Sequence, residues 1–241
     1  MIKIINVTKI FGKKAALKNI NLEIADGETL AIIGGSGSGK STLLRLMIGL
    51  IQPTSGEIWI GNDEISRMDE KEIMRIRLRM GMVFQYSALF DSMTVGDNVA
   101  FGLVEHTDFS RDKIEEIVRE KLHQVGLEGV ENRMPNELSG GMKKRVSLAR
   151  AIAFGPEIIF YDEPSSGLDP VTTTKIDDLI IETQRALKVT SIVVTHDMVS
   201  ACRIADRIAM VYNGDLIAVD TPENFKHIQD ERVRAFFRII D

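Results

Sequence analysis

The chain has little cysteine, little tryptophan and no long apolar segment. Cys202 is the one cysteine among 241 residues, so it cannot form an internal disulfide, and we expect it to be a buried packing thiol. No Cys/His cluster has the spacing of a metal site. No apolar run approaches the ~20 residues that span a bilayer, and the first six residues lack a secretory signal. These absences predict a cytoplasmic protein that works at a membrane only through a partner.

Positive charge is outnumbered by negative charge. Lys and Arg number 30 against 35 Asp and Glu, which gives a formal net charge of -5, and no long Lys/Arg block is present. We therefore do not expect nucleic acid as the main partner. Apolar residues make up 44% of the chain, enough to bury a sizeable core in one domain, or in one domain with an insert.

Predicted strands alternate with helices through most of the chain, and the apolar strands are typical of a parallel sheet covered on both faces. An Asn213-Gly214 pair after the last of these strands predicts a hairpin with a type I′ turn. The predicted strands are Ile2–Val7, Thr29–Ile33, Glu57–Ile60, Met80–Phe84, Ile158–Tyr161, Ser191–Thr195 and Arg207–Tyr212.

Helical patterns dominate from about Tyr86 to Phe154, which predicts a helical insert in an α/β core. Ser110 is the expected cap of one helix, closed by Gly126. Its apolar stripe consists of Ile114, Ile117, Val118, Leu122 and Val125. A final amphipathic stretch either packs on its own domain or contacts a partner. That stretch contains Val233, Phe236, Phe237 and Ile240.

A glycine-rich segment has the pattern of a phosphate-binding loop, with an apolar strand before it and an apolar helix after it. Its residues are Gly34, Gly35, Ser36, Gly37, Ser38, Gly39, Lys40, Ser41 and Thr42. The glycines let backbone N–H groups turn towards phosphate oxygens, and the following helix adds its N-terminal dipole. Lys40 would reach the β- and γ-phosphates of ATP, and Ser41 would bind Mg²⁺.

Two acidic residues follow another apolar strand. Asp162 and Glu163 come just after Ile158–Tyr161, at a strand end where open α/β sheets gather ligands. Asp162 would hold Mg²⁺, and Glu163 would polarise the attacking water as general base. His196 follows the strand Ser191–Thr195 in the same way, which favours a contact with the γ-phosphate.

A third segment reads Leu138-Ser139-Gly140-Gly141-Met142. Together with the phosphate loop and the acidic pair, it resembles the nucleotide-binding subunits of ABC transporters over nearly the whole chain. The resemblance implies an α/β P-loop NTPase with a RecA-like core, an antiparallel β subdomain and an inserted α-helical subdomain. It implies one domain over 1–241, in which the core is 1–86 and 155–221, the helical insert 87–154 and the C-terminal helical tail 222–241.

The resemblance also implies roles for residues outside the phosphate loop. Phe11 would stack on adenine, and Gln85 would contact Mg²⁺ and the attacking water. Asp169 belongs to the loop Ser166–Asp169, which couples two sites in the family. The signature residues would face the γ-phosphate bound by a second copy; they are Ser139, Gly140 and Gly141. Two copies would then close head to tail around two ATP molecules as an ATP-dependent homodimer.

Within that family, residues 86–95, residues 105–107 and Met142 resemble the ATPases of Mce-type lipid transporters. Most family members have glutamine where Met142 stands. The likeness implies phospholipid transport and attachment to the inner face of the cell membrane through an integral-membrane permease. It also implies an Mce-type lipid-binding protein and a small accessory subunit as further partners. Leu89, Phe90 and Met93 are either permease contacts or part of the insert's own core.

Three alternatives stay open at this point. One is the ATPase of a polar-solute importer. The others are soluble ABC ATPases without a permease, which act in iron–sulfur assembly or in DNA maintenance. The chain lacks the sustained heptads of the coiled coil that DNA-maintenance ATPases usually carry.

Overall fold

The computed structural model describes residues 1–237, so Ile240 of the predicted tail lies outside the described residues. The strands in this range are β1 Ile2–Phe11, β2 Lys14–Ile24, β3 Thr29–Ile33, β4 Ser55–Ile60, β5 Asp63–Glu64, β6 Met80–Val83, β7 Ile158–Asp162, β8 Thr190–Val194, β9 Arg207–Tyr212 and β10 Asp215–Asp220. The helices are α1 Lys40–Met47, α2 Glu70–Arg77, α3 Val95–His106, α4 Arg111–Gln124, α5 Gly140–Ile152, α6 Pro170–Leu187, α7 Met198–Ile204, α8 Pro222–Phe225 and α9 Glu231–Phe237.

A six-stranded sheet in the order β10-β9-β3-β8-β7-β6 forms the centre of the molecule. Its pairs are parallel except for the hairpin of β9 and β10. Every residue of β3 and β8 is buried, as expected for strands covered on both faces. Because β3, β8 and β7 are neighbours and run in one direction, the segments that follow them meet at one edge of the sheet.

A second, antiparallel sheet in the order β2-β1-β4-β5 packs on this core. The sequence pattern predicts β1 and β4 but does not predict β2 or β5. The sequence pattern does not indicate β2, because the ladder between β1 and β2 has register shifts and Asn19 has a φ of 49°. The buried residues Leu17 and Ile20 are therefore three positions apart, which breaks the two-residue period of a strand.

The hairpin at the other end of the large sheet is confirmed. Asn213 and Gly214 have φ values of 49° and 86°, as a type I′ turn requires. The Gly214 N–H donates to the Ser38 carbonyl, and the Lys18 N–H donates to the Gly214 carbonyl, both at 2.8 Å. The turn therefore ties the phosphate loop to strand β2.

Helices α3, α4 and α5 fall within the predicted insert, whose boundaries stay a prediction. Ser110 caps α4 by accepting from the Lys113 N–H, as predicted. Val118 and Leu122 of the predicted stripe are buried, whereas Ile114 is only partly buried. Helix α5 packs against α3 and α4 on one side and against β6 on the other, so it connects the insert to the core.

The described part of the tail packs on its own domain. Phe225 and Val233 are buried in a cluster with Ile208 and Met210 of β9. Cys202 borders this cluster and is half-buried, and burial raises the pKa of its thiol.

Candidate nucleotide site

The predicted phosphate loop lies between β3 and α1, as its strand-loop-helix pattern requires. Lys40 is the first residue of α1 and is buried. Its ammonium donates to the carbonyls of Gly34 at 2.7 Å and Gly35 at 3.1 Å. Burial lowers the pKa of Lys40, and the Glu163 and Asp162 carboxylates oppose that shift. The loop therefore holds a cation that faces two acids across the edge of the sheet.

The loop also leaves polar groups for a ligand. The Ser38 hydroxyl is buried and has no hydrogen-bond partner among residues 1–237. The loop residues Gly37 to Thr42 line a cavity of about 510 Å³ that continues to Phe11 and to the Asn213-Gly214 turn. Phe11 is 51% exposed, and the Lys9 ammonium lies 5.1 Å from its ring centroid. An aromatic ring at one end and a cradle of N–H groups at the other fit a nucleoside phosphate.

Asp162 is the last residue of β7 and Glu163 is the first residue beyond it. Burial raises the pKa of Asp162 and so does Glu163, while Arg45, Lys40 and Lys144 lower it. The backbone of Glu163 has a φ of 48°, in the left-handed region that non-glycine residues seldom adopt. The Glu163 N–H donates to the carbonyl of Val194 at 2.9 Å, which fixes this turn against the end of β8.

His196 and Glu163 are brought into direct contact. The distance between His196 Nδ1 and Glu163 Oε2 is 2.7 Å, and the imidazole is 68% exposed while the carboxylate is 14% exposed. The neighbouring Asp197 instead caps α7, where its carboxylate accepts from the N–H groups of Val199 and Ser200. The opposite ring nitrogen, Nε2, makes no hydrogen bond within residues 1–237 and is available to another partner.

Gln85 follows β6 and reaches towards the loop that precedes α6. Its side-chain amide donates to the Ser166 hydroxyl at 3.2 Å. The main-chain carbonyl of Gln85 accepts from the Lys144 ammonium of α5. Gln85 is therefore connected both to the segment Ser166–Asp169 and to the helical insert.

The signature residues cap and begin α5. The Ser139 hydroxyl accepts from the Met142 N–H at 3.3 Å, and both Ser139 and Gly140 are exposed. Ser139, Gly140 and Gly141 line one cavity of about 710 Å³. Met142, the departure from the usual glutamine, packs against the core of the insert.

Asp169 lines that cavity too and caps α6. Its carboxylate accepts from the N–H groups of Val171 and Thr172, both at 3.0 Å. Hydrogen bonds from the Thr172 hydroxyl and from these N–H groups lower the pKa of Asp169.

Two sets of the predicted residues thus line two separate cavities of one chain. The cavity beside the phosphate loop and the cavity beside the signature have no lining residue in common. Sequence reasoning does not single out Lys144 or Arg150, two α5 cations that hold the Gln85 segment. The available signal is Lys144 itself, a charge on a face of α5 that otherwise carries the buried residues Ser147, Leu148 and Ala151.

The family model described as ABC transporter matches residues 17–166, more than half of the chain. The chain belongs to the ABC transporter family, and it is an ATP-binding subunit that hydrolyses ATP. Over 238 residues it is 42% identical to the intermembrane phospholipid transport system ATP-binding protein MlaF of Haemophilus influenzae, covering 99% of this chain and 90% of that protein. Over 205 residues it is 46% identical to the methionine import ATP-binding protein MetN of Carboxydothermus hydrogenoformans, covering 85% of this chain and 60% of that protein.

Among solved structures, the chain is similar to a dimeric ATP-binding cassette in a post-hydrolysis state bound to ADP and Pi. The TM-score is 0.84 at 36% identity, over 92% of this chain and 99% of that chain. These matches confirm the predicted P-loop NTPase fold and the likeness to phospholipid-transport ATPases. Within residues 1–237, no helix combines the length and apolarity needed to span a bilayer.

Proposed function

We propose that this subunit drives phospholipid transport through an integral-membrane permease at the inner face of the cell membrane. The support is the phospholipid-transport relative, which is matched over 90% of its own length and over 99% of this chain. The methionine-import relative is matched over 60% of its length. A polar-solute importer is therefore the second candidate. An Mce-type lipid-binding protein and a small accessory subunit complete the proposed assembly.

The phosphate-loop cavity takes one ATP. Phe11 stacks on the adenine, and the main chain of residues 34–39 donates to the phosphates. Lys40 supplies the cation, which the loop already holds between two carbonyls. Ser41 and Thr42 add their hydroxyls at the start of α1, where the helix dipole also favours an anion.

Oxygen donors for Mg²⁺ converge on the same edge of the sheet. Ser41, Asp162 and Gln85 offer a hydroxyl, a carboxylate and an amide oxygen, which are the donors that Mg²⁺ prefers. Mg²⁺ held by these three side chains would supply positive charge beside the phosphates.

Glu163 is the proposed general base. It takes a proton from the water that attacks the γ-phosphorus, and Gln85 orients that water. The contact of 2.7 Å with His196 Nδ1 holds the Glu163 carboxylate at the end of β7. In the imidazolium form, His196 keeps this hydrogen bond through Nδ1–H and uses its second N–H, at Nε2, to donate to the γ-phosphate.

The observation that carries the dimeric mechanism is the separation of the two cavities. Ser139, Gly140 and Gly141 line a different cavity from Lys40, which supports a site that is completed only when a second copy approaches. Two copies arranged head to tail give two complete sites, and Asp169 lies beside the signature at that junction. The dimeric cassette with 36% identity supports this arrangement.

The permease contact is proposed at the segment after Gln85. Tyr86 is 86% exposed and Phe90 is 42% exposed, whereas Leu89 packs partly into the core of the insert. The ring centroids of Phe90 and Phe101 are 4.8 Å apart, so they form one aromatic patch beside half-buried Met93.

Glu163→Gln tests the mechanism, because the amide keeps the shape of the side chain but cannot accept a proton at pH 7. Steady-state ATP hydrolysis should fall by at least about 100-fold, within the range for a lost general base. ATP affinity should persist, and a closed dimer should accumulate in light scattering. Lys40→Ala is the contrasting variant, since it should weaken binding of a labelled ATP analogue. Near-normal hydrolysis by Glu163→Gln would exclude Glu163 as the base.

The cargo needs a separate experiment. The native complex, purified through this subunit in detergent, should contain a multi-spanning permease, an Mce-type protein and phospholipid that mass spectrometry can identify. A soluble solute receptor with no lipid-binding partner would instead establish the polar-solute importer. A soluble scaffold or DNA-stimulated hydrolysis would remove the transport assignment.

A further inference from the structure

Helix α5, which begins at the signature, carries a cation that is buried against the core. Lys144 is 6% exposed. Its ammonium donates to the main-chain carbonyl of Gln85 and, at 3.5 Å, to that of Glu163. The proposed function places both of these residues around the attacking water. One side chain therefore touches two elements of the hydrolytic site from the helix that presents Ser139.

The segment after Gln85 needs such support. Ser87 and Ala88 have φ values of 63° and 45°, so two successive non-glycine residues lie in the left-handed region. Arg150, two turns beyond Lys144 on α5, donates to the Ser87 carbonyl at 2.9 Å and to the Ala88 carbonyl at 2.7 Å. Together the two cations fix three carbonyls of this segment to α5.

The main chain of Glu163 is held in the same manner. It is also left-handed, and its carbonyl accepts from the Ser166 N–H at 3.1 Å as well as from Lys144. The Ser166 hydroxyl in turn accepts from the Gln85 amide. These hydrogen bonds form a closed ring of Lys144, Gln85, Ser166 and Glu163. The ring links the segments after β6 and β7 to the loop before α6.

Packing alone does not explain a lysine at this position. Burial disfavours its charge, and Asp162 and Glu163 are the carboxylates that oppose this effect. Buried ionic groups replaced together by apolar groups of similar size often leave stability unchanged or raise it. A helix that only filled space here would be served as well by methionine.

We propose that Lys144 is a positioning residue that fixes Gln85 and Glu163 to the helix that presents Ser139. The hydrolytic groups of one site and the serine offered to the partner's site then move as one unit. This inference rests on the proposed function, because it takes Gln85 and Glu163 as the groups around the attacking water.

The test compares Lys144→Met with Lys144→Arg and Lys143→Met in the full chain. Lys143 is adjacent on α5, is half-buried and makes no side-chain hydrogen bond in the described residues, so Lys143→Met should behave as wild type. Lys144→Met should lower kcat by about tenfold or more, because small misplacements of reacting groups cost up to about 100-fold. ATP affinity should change by less than about threefold, and Lys144→Arg should recover most of kcat, because guanidinium also donates to carbonyls.

A double-mutant cycle separates positioning from general damage. If Lys144 acts through Gln85, the loss of kcat in Lys144→Met/Gln85→Ala should be at least about threefold smaller than the product of the single losses. A full product would overturn the inference. Should Lys144→Met not fold, Lys144→Gln replaces it, and parallel losses of affinity and kcat in that variant would also overturn the inference. Wild-type hydrolysis by Lys144→Met would end it too, while the Glu163→Gln result would still decide the proposed function.

Discussion

The phosphate loop and the signature segment are both rich in glycine, but the fold constrains Gly34 of the first more tightly than Gly140 of the second. Gly34 has a φ of +149°, and a Cβ there would overlap the main-chain oxygen of Val211. A Cβ on Gly140 would meet only Leu168 Cδ2, at an ordinary 3.5 Å. Packing within the described monomer therefore demands the first glycine and not the second. We propose that Gly140 is instead required by the second copy that approaches the start of α5.

The two segments also differ in how far their polar and charged groups are buried. The phosphate loop faces buried or half-buried ionic groups, including Lys40 and Asp162. The signature offers exposed N–H groups and the Ser139 hydroxyl at the start of a helix. On the proposed function, one half of the nucleotide site is built into the monomer, while the other half is a surface that becomes a site on association.

Gly34→Ala gives the largest expected effect and attacks the first half of this comparison. The free energy of unfolding should fall by about 3 kcal/mol or more, because overpacking and a left-handed alanine both cost energy. Denaturant unfolding measures the change. Gly35→Ala is the matched control for stability, since a Cβ there meets nothing within 4 Å. A loss below about 1 kcal/mol for Gly34→Ala would contradict the packing argument.

Asp177 in α6 bears on this comparison, because its titration makes the free energy of unfolding depend on pH in every glycine variant. It is 3% exposed, and its Oδ2 accepts from the Ser200 hydroxyl at 2.9 Å. Burial and the nearby Asp197 raise its pKa to about 6, although Ser200 and Arg203 oppose them. The folded state therefore binds the proton more tightly than the unfolded state, so stability is lost as pH rises from about 4 to 6.

Asp177→Asn removes this titration. At pH 7 the variant should be more stable by about 1 to 3 kcal/mol, and its stability should vary less between pH 4 and 6.5. Thermal unfolding at a series of pH values measures both effects. An unchanged pH profile would show that Asp177 does not carry the buried charge. The glycine variants are best compared in the Asp177→Asn chain, because this titration no longer affects its stability.

Gly140→Ala has the smallest expected effect on stability and attacks the second half of the comparison. The free energy of unfolding should stay constant or rise by up to about 1 kcal/mol, because alanine favours a helix over glycine. The closed dimer that Glu163→Gln accumulates with Mg-ATP should nevertheless be lost in Glu163→Gln/Gly140→Ala. Light scattering of the two variants provides the measurement. Equal dimerisation would mean that the signature glycine does not face the partner's nucleotide.

Local signals predict the half of the site that the monomer completes. Residues 29–47 combine a buried strand, a glycine loop and a helix, and each of these depends on neighbours in sequence. The strand ends at Asp162 and His196 are likewise visible as apolar runs that stop at a polar residue. The contact between His196 and Glu163 is not visible, because it depends on β7 and β8 being paired in register.

Long-range packing explains what sequence reasoning misses. Lys144 reaches the carbonyl of Gln85, a residue 59 positions away, only because α5 packs on β6. Arg150 finds Ala88 for the same reason. A lysine and an arginine in a helical pattern give no indication of such acceptors. Sequence reasoning misses β2 for a different reason, because its bulges break the two-residue period of buried apolar side chains.

The order of strands in the large sheet also bears on how the protein is made. Strand β3, which leads into the phosphate loop, lies between β8 and β9, and the Ser38 carbonyl is held by Gly214. A ribosome releases β3 and its loop long before it has synthesised either neighbouring strand. We expect a nascent chain that ends before Thr190 to bind ATP poorly, because it lacks the strands on both sides of β3. We therefore expect nucleotide binding only after translation has passed Gly214, so that only finished subunits join the proposed ATP-dependent dimer.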